Sequence, residues 1–265
     1  MQKVNYHDED TIWFTGFKPN LQAQLRLFCF PHAGGGSSIF SSWTQFLPSA
    51  IELYPVQLPG RENRFKERPF TRLAPLIEAL ASILYPRLDR PFAFFGHSMG
   101  ALISFELTRS IRTKFSLSPV QLFISGHPAP QLSVQDNIPH LLPEQAIEKV
   151  RSFGGTPETV LQNTELMQLI MPTLLADFEL CRTYRYRSQD PLDCPISVFG
   201  GWEDPDVSQE NLALWACQTR RSFILQMLPG NHFFFRSAQH LLLQSIARDL
   251  DLIRKPTDER CTENR

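Results

Sequence analysis

One pentapeptide constrains this chain more than any other feature. Gly96-His97-Ser98-Met99-Gly100 fits G-x-S-x-G and sits between an apolar run, Phe92–Phe95, and a helical pattern, Ala101–Ile111. A strand that passes into a helix over so few residues must bend sharply, and glycine on either side removes side chains that would collide there. The bend holds the serine in a strained backbone conformation. Its hydroxyl then stands above the sheet edge, at a helix N-terminus whose dipole favours developing negative charge. Ser98 is therefore the candidate nucleophile of a serine hydrolase.

The rest of the chain supplies the sheet that such a turn needs. Leu25–Phe30, Ile51–Gln57, Phe92–Phe95, Val120–Ser125, Ile196–Phe199 and Phe223–Leu228 read as strands. They are continuous apolar runs, as expected of parallel strands covered on both faces. Leu73–Leu88, Ala101–Ile111 and Gln239–Leu252 carry helical spacing between and after them. The expected fold class is α/β: an α/β-hydrolase fold with a mostly parallel sheet flanked by helices. One stretch breaks the alternation. Pro139–Tyr186 has helical pattern without a strand, is interrupted by Gly154-Gly155, and reads as a helical lid insertion. Residues 1–254 are expected to form a single domain, and 255–265 a charged, disordered tail.

Composition narrows the function. With 42% hydrophobic residues over 265 positions there is ample material for one core, and a net charge of −1 argues against a nucleic-acid partner. The five cysteines are scattered and form no C-x-x-C pair, which disfavours a disulfide framework or a zinc knuckle; no metal is expected. Cys29, in an apolar run, reads as a small buried hydrophobe. Met1–Asp10 is polar and acidic, unlike a signal peptide, and no apolar window is long enough to span a membrane. A cytoplasmic monomer is the expectation.

A serine nucleophile needs a base. Among seven histidines, only His232 and His240 come late enough for the chain order nucleophile, acid, histidine. His240 falls within a helical pattern and reads as a surface residue. His232 follows Pro229-Gly230-Asn231 directly after a strand, where ligand chemistry collects in such sheets. The acid should follow the preceding strand, where Glu203, Asp204 and Asp206 are candidates; Asp204 is preferred and Asp206 is the runner-up. For the oxyanion, the N–H of Met99 after the nucleophile is one donor. The second comes from the loop after the first strand, Pro31-His32-Ala33-Gly34-Gly35-Gly36, with Ala33 as candidate. That loop lacks both dinucleotide and P-loop spacing, and His32 reads as structural.

Taken together, these segments resemble the type II thioesterases, stand-alone editing enzymes that accompany modular polyketide synthases and nonribosomal peptide synthetases. They are similar also to the medium-chain thioesterase of animal fatty-acid synthesis. The resemblance runs from Trp13 to about Leu252. It rests on Leu27–Gly36, Leu58-Pro59-Gly60-Arg61-Glu62, Phe94–Gly100, Phe153-Gly154-Gly155-Thr156-Pro157, Gly201–Val207 and Pro229–Phe233. It implies Ser98, Asp204 and His232 as a catalytic triad, with a G-x-x-D-x-x-V pattern falling on Gly201, Asp204 and Val207. It implies oxyanion donors at Ala33 and Met99 and a mobile lid at Pro139–Tyr186. Asn231 stands where the second glycine of a Gly-Gly-His ending is usual.

The implied activity is hydrolysis of acyl thioesters from phosphopantetheine arms of acyl or peptidyl carrier protein domains, with no cofactor of its own. Leu166, Met167, Ile170 and Met171 are candidates for lining an acyl channel. Arg182, Arg185 and Arg187 could face an acidic carrier, although such a run is more simply a solvated face. The rivals are a general or medium-chain thioesterase or esterase that releases product, and a non-catalytic scaffold.

Overall fold

The computed structural model describes residues 12–15, 19–20, 22–132 and 140–254; the tail from 255, expected to be disordered, and Pro139 lie outside the described residues. Among the described residues six strands form one sheet: β1 (Leu25–Phe30), β2 (Ile51–Pro55), β3 (Phe92–His97), β4 (Gln121–Ser125), β5 (Ile196–Gly201) and β6 (Phe223–Leu228). Their order is β2-β1-β3-β4-β5-β6. Every pairing is parallel. The helices are α1 (Leu73–Leu84), α2 (Met99–Phe115), α3 (Pro143–Phe153), α4 (Glu158–Leu161), α5 (Thr164–Arg182), α6 (Gln209–Ala213), α7 (Phe234–Ser237) and α8 (Gln239–Arg254).

The unbroken apolar runs are explained by two cores, one on each face of the sheet. Phe28, Phe30, Phe94, Leu122, Ile124, Ile196 and Val198 pack under α1 and α2. Their neighbours in the chain, Leu27, Cys29, Ala93, Phe95, Phe123 and Phe199, point the other way against α8, Phe40 and Trp43. Alternation along a strand thus serves both faces.

Several boundaries differ from the expected ones, each for a local reason. β3 and β5 run on past their apolar residues because Gly96-His97 and Gly200-Gly201 stay in the ladder, opposite Ile124-Ser125 and Met227-Leu228. β2 closes at Pro55, two residues before Gln57. α1 stops at Leu84, not Leu88, and a 3-10 turn spans Tyr85–Arg87. Pro86 has no N–H for the next helical bond.

From β1 the chain goes outward to β2 and then crosses back to β3 on the other side of β1. The β1 and β3 ends therefore flank a topological switch point, where crevices open in parallel sheets. The loop after β1 carries Ala33, and the turn after β3 carries Ser98. The turn has the bend expected from sequence: Ser98 has φ 54° and ψ −117°, a conformation that costs a non-glycine residue about 1–3 kcal/mol. It is held by bonds from Ser98 N–H to the Ser125 carbonyl (2.8 Å) and from Ala101 N–H to the Ser98 carbonyl (2.9 Å). A Cβ on Gly96 would overlap the carbonyl of Gly100, and one on Gly100 would overlap the carbonyl of Phe30. Neither backbone has room to retreat. α3–α5 form the helical insertion between β4 and β5, with Gly154 closing α3 at φ +72°. No described helix is long and apolar enough to cross a membrane.

Gly100→Ala should cost more than about 4 kcal/mol or prevent folding, since overlap with backbone leaves no cheap relaxation. Thermal denaturation of the purified variant checks this; a Tm near wild type would contradict the close approach.

Candidate active site

Because all six strands are parallel, the loops after β1, β3, β4, β5 and β6 open on one edge of the sheet. The β5 and β6 loops are fastened together by main-chain bonds, Trp202 N–H to Leu228 O (2.9 Å) and Glu203 N–H to Gly230 O (3.0 Å). Gly201 permits this: a Cβ there would lie 2.5 Å from the carbonyls of Gly230 and Asn231. The result sets Asp204 against His232. The Asp204 Oδ2 accepts from His232 Nδ1–H at 2.7 Å, with both side chains almost fully buried. Asp204 Oδ1 accepts the N–H of Asp206 (3.0 Å), so both oxygens are held. Nδ1 as donor leaves Nε2 as the lone-pair nitrogen of a neutral ring, and Nε2 has no hydrogen-bond partner among the described residues.

Of the three acid candidates, Glu203 is exposed, and the two aspartates are separated by their partners. Asp206 reaches away to Lys149 of α3, at 2.9 Å to each oxygen. Asn231, in the usual glycine position, fits: the left-handed φ of +117° falls on Gly230, and the Asn231 side chain accepts from Phe233 N–H (2.9 Å).

Ser98, Met99, Ala33 and His232 line one cavity of about 550 Å³. Its walls are completed by the insertion: Val150 and Phe153 from α3, Val160 and Leu161 from α4, and Met167, Ile170, Leu174, Phe178 and Cys181 from α5. Steps of three and four along α5 make a single stripe. Of the four proposed channel residues, Met167 and Ile170 lie on it. Leu166 and Met171 do not: each sits about 100° around the helix from its neighbour on the stripe, Leu166 is exposed, and the cavity lining excludes both. The arginine run is also elsewhere. Arg182 is gripped by Glu179 at 2.6 and 2.7 Å. Arg185 and Arg187 border a separate groove of about 660 Å³ beside α1 and α2 that shares no lining residue with the cavity. His240 is exposed on α8.

The histidines around His232 are kept uncharged. Burial lowers His32 to about 3, helped by repulsion from Arg236, His232 and Arg61. Burial likewise holds His97 well below its ordinary value, and desolvation lowers His127 to about 4. His32 stacks edge-on against Phe233, in keeping with a structural role, and His97 Nδ1 pairs with Ser125 Oγ at 2.9 Å. Over His232 lies Phe153, its ring 4.4 Å away and 20° from parallel.

Sequence reasoning gave no role to Phe153, Arg61, Glu62 or Asp177. Glu62 accepts from Ser37 Oγ (3.1 Å) and Ser38 Oγ (2.5 Å), bracing the far end of the β1 loop. Arg61 and Asp177 form a buried bidentate pair, at 2.8 Å for each bond. A signal was present: Asp177 is one of two acids, with Glu179, in the otherwise apolar Leu166–Leu180 run, and buried charge is rare without a partner.

The buried histidines predict an acid-sensitive fold. In the unfolded chain they take up protons near pH 6.5, whereas the native chain refuses them until about pH 4 or below. Their contribution to stability is present above pH 6.5 and is lost as pH falls toward those native values. Urea midpoints should decline from pH 6.5 to about pH 4. The decline should be shallower in His32→Phe; an unchanged slope would show that His32 titrates normally.

Comparison with known proteins identifies the family. A thioesterase domain family model matches residues 25–252. The gramicidin S biosynthesis protein GrsT of Aneurinibacillus migulanus is 47% identical over 245 residues, covering 92% of this chain and 96% of that one. Among solved structures, the RedJ thioesterase from the prodiginine pathway of Streptomyces coelicolor matches with a TM-score of 0.82 and 37% identity, over 87% of each chain. The type II thioesterase BorB from the borrelidin biosynthetic cluster matches with a TM-score of 0.83 and 32% identity, over 93% of this chain and 100% of that one. The fold is the α/β-hydrolase fold of those structures, and the chain belongs to the thioesterase family, whose members hydrolyse thioesters.

Proposed function

We propose that this protein is a stand-alone thioesterase that clears acyl groups from the phosphopantetheine arms of acyl or peptidyl carrier proteins in polyketide or nonribosomal peptide biosynthesis. The observation that carries the chemistry is the buried Asp204–His232 bond, with Nε2 unpaired beside the cavity that also holds Ser98. The relatives' places in gramicidin S, prodiginine and borrelidin biosynthesis support the substrate class. A carrier-bound substrate is made inside the cell, which favours a cytoplasmic location.

In this reading Ser98 Oγ attacks the thioester carbonyl while His232 Nε2 takes its proton. Asp204 steadies the imidazolium. The carbonyl oxygen, now anionic, receives the N–H groups of Ala33 and Met99. The C–S bond breaks, His232 returns the proton to the leaving sulfur, and the carrier departs as free thiol. Water then attacks the acyl-serine, giving its proton to His232. The C–Oγ bond breaks, Ser98 regains a proton, and the acid leaves. The phosphopantetheine arrives as part of the substrate, and the chain's own groups perform each step. The apolar stripe on α5 and the walls from α3 and α4 suit an acyl chain, and the insertion serves as the lid.

Ser98→Ala should abolish both turnover and labelling by a fluorophosphonate. Asp204→Asn should lower kcat by about 10⁴, whereas Asp206→Asn, which loses only an exposed ion pair, should stay close to wild type. Assays on acyl-carrier protein, acyl-CoA and simple esters test the substrate. Faster turnover of esters than of acyl-carrier protein would refute the carrier assignment, and wild-type protein that fails to label would point to a non-catalytic scaffold.

A further inference from the structure

The Ala33 loop is a tight turn. Gly35 N–H bonds to the His32 carbonyl at 2.9 Å, and Gly34, third in the turn, has φ +76°. These are the marks of a type II turn with Ala33 and Gly34 at its centre. Such a turn has a near neighbour: rotating the central peptide by about half a turn gives type I, which any residue adopts. That central peptide carries the Ala33 carbonyl and the Gly34 N–H, so what holds it decides which way the Ala33 carbonyl faces beside its own N–H.

The holder comes from the insertion. Asp177, on α5, accepts the Gly34 N–H at Oδ2, 2.7 Å away. The same oxygen accepts from Arg61 Nη1, and Oδ1 accepts from Arg61 Nη2, each at 2.8 Å. Arg61 in turn donates to the Gly35 carbonyl at 3.1 Å and, through Nε and Nη2, to the Pro59 carbonyl at 3.2 Å. All five of its donors are used. The Asp177 and Arg61 side chains are 2% and 6% exposed, so water does not compete for them. One turn earlier on α5, Thr173 Oγ1 donates to the Gly60 carbonyl, and Leu174 packs at Gly34.

We infer that Asp177 is a positioning residue: held by Arg61, it pins the Gly34 N–H, which stops the Ala33 carbonyl from turning over and seats the β1 loop so that the Ala33 N–H, on the preceding peptide, meets the reacting carbonyl oxygen. The inference rests on the assignment of Ala33 as an oxyanion donor. It makes α5 part of the transition-state machinery as well as an acyl wall.

A buried ion pair could be merely structural, and the test separates the two roles. Arg61→Met with Asp177→Leu replaces both charges by apolar groups, a change that typically restores stability where removing one partner does not. It also leaves Gly34 N–H without its acceptor. The expected result is a near-native Tm, an unchanged KM, and kcat lower by about 10²-fold, the scale of a lost oxyanion donor. Affinity for an alkyl trifluoromethyl ketone, whose adduct on Ser98 places an anionic oxygen at the same donors, should fall in parallel with kcat. Asp177→Asn keeps an oxygen near Gly34 but as a weaker, uncharged acceptor, and should lose about tenfold in ketone affinity. It supplies the readout if the double variant fails to fold. Wild-type kcat and ketone affinity in a folded double variant, or wild-type ketone affinity in Asp177→Asn, would overturn the inference. Wild-type protein that neither labels nor turns over thioesters would instead sink the assignment of Ser98.

Discussion

The approach of β3, α2 and β1 around Ser98 is the constraint on which the rest of the structure depends. Three stretches of backbone meet there at distances that tolerate no Cβ at Gly96 or Gly100. That contact fixes the strained serine and starts α2 directly beneath it. It also presses the end of β1 against the start of α2, so the loop carrying Ala33 and the turn carrying Ser98 share a wall. The two-faced aromatic core serves this contact. Phe28, Phe30, Phe94 and Phe95 leave the strands little freedom to slide apart.

Around that fixed point the site is assembled from loops that are individually ordinary. Main-chain bonds between the β5 and β6 loops, permitted by Gly201, bring an acid to a histidine far along the chain. Uncharged histidines and the Phe153 ring then enclose His232 in a medium of low polarity. There a carboxylate–imidazole bond is stronger than it would be in water.

Much of this was legible in the sequence because it is local. G-x-S-x-G between a strand and a helix carries its own geometry, and the apolar runs identified all six strands to within a few residues. Pattern left Asp204 and Asp206 close together as candidates because they are two residues apart on one loop. The resemblance favours Asp204, and the folded positions of His232 and Lys149 give the physical division between them. The cavity wall was half legible: hydrophobicity picks out Leu166, Met167, Ile170 and Met171 alike, whereas helical phase relative to the cavity admits only Met167 and Ile170. Arg61 and Asp177 escaped assignment for a different reason. They are 116 positions apart, and a charge has no visible purpose until its partner is known.

The insertion is attached in two unlike ways. α3 is tied to the β5 loop by the exposed Lys149–Asp206 pair, while α5 is tied by a buried bidentate pair to Arg61 of the β2 loop and, through Asp177, to the Gly34 N–H of the β1 loop. Exposed pairs are weak and screened by salt; buried ones are stiff. The residues that shape the acyl end of the cavity, among them Val150, Val160, Met167 and Ile170, belong to neither tie. In the proposed reaction, acyl preference and catalytic competence are therefore written on different side chains. A lineage could remodel the first by exchanging aliphatic side chains while leaving the second untouched, which lets one scaffold adapt to acyl groups of different shape.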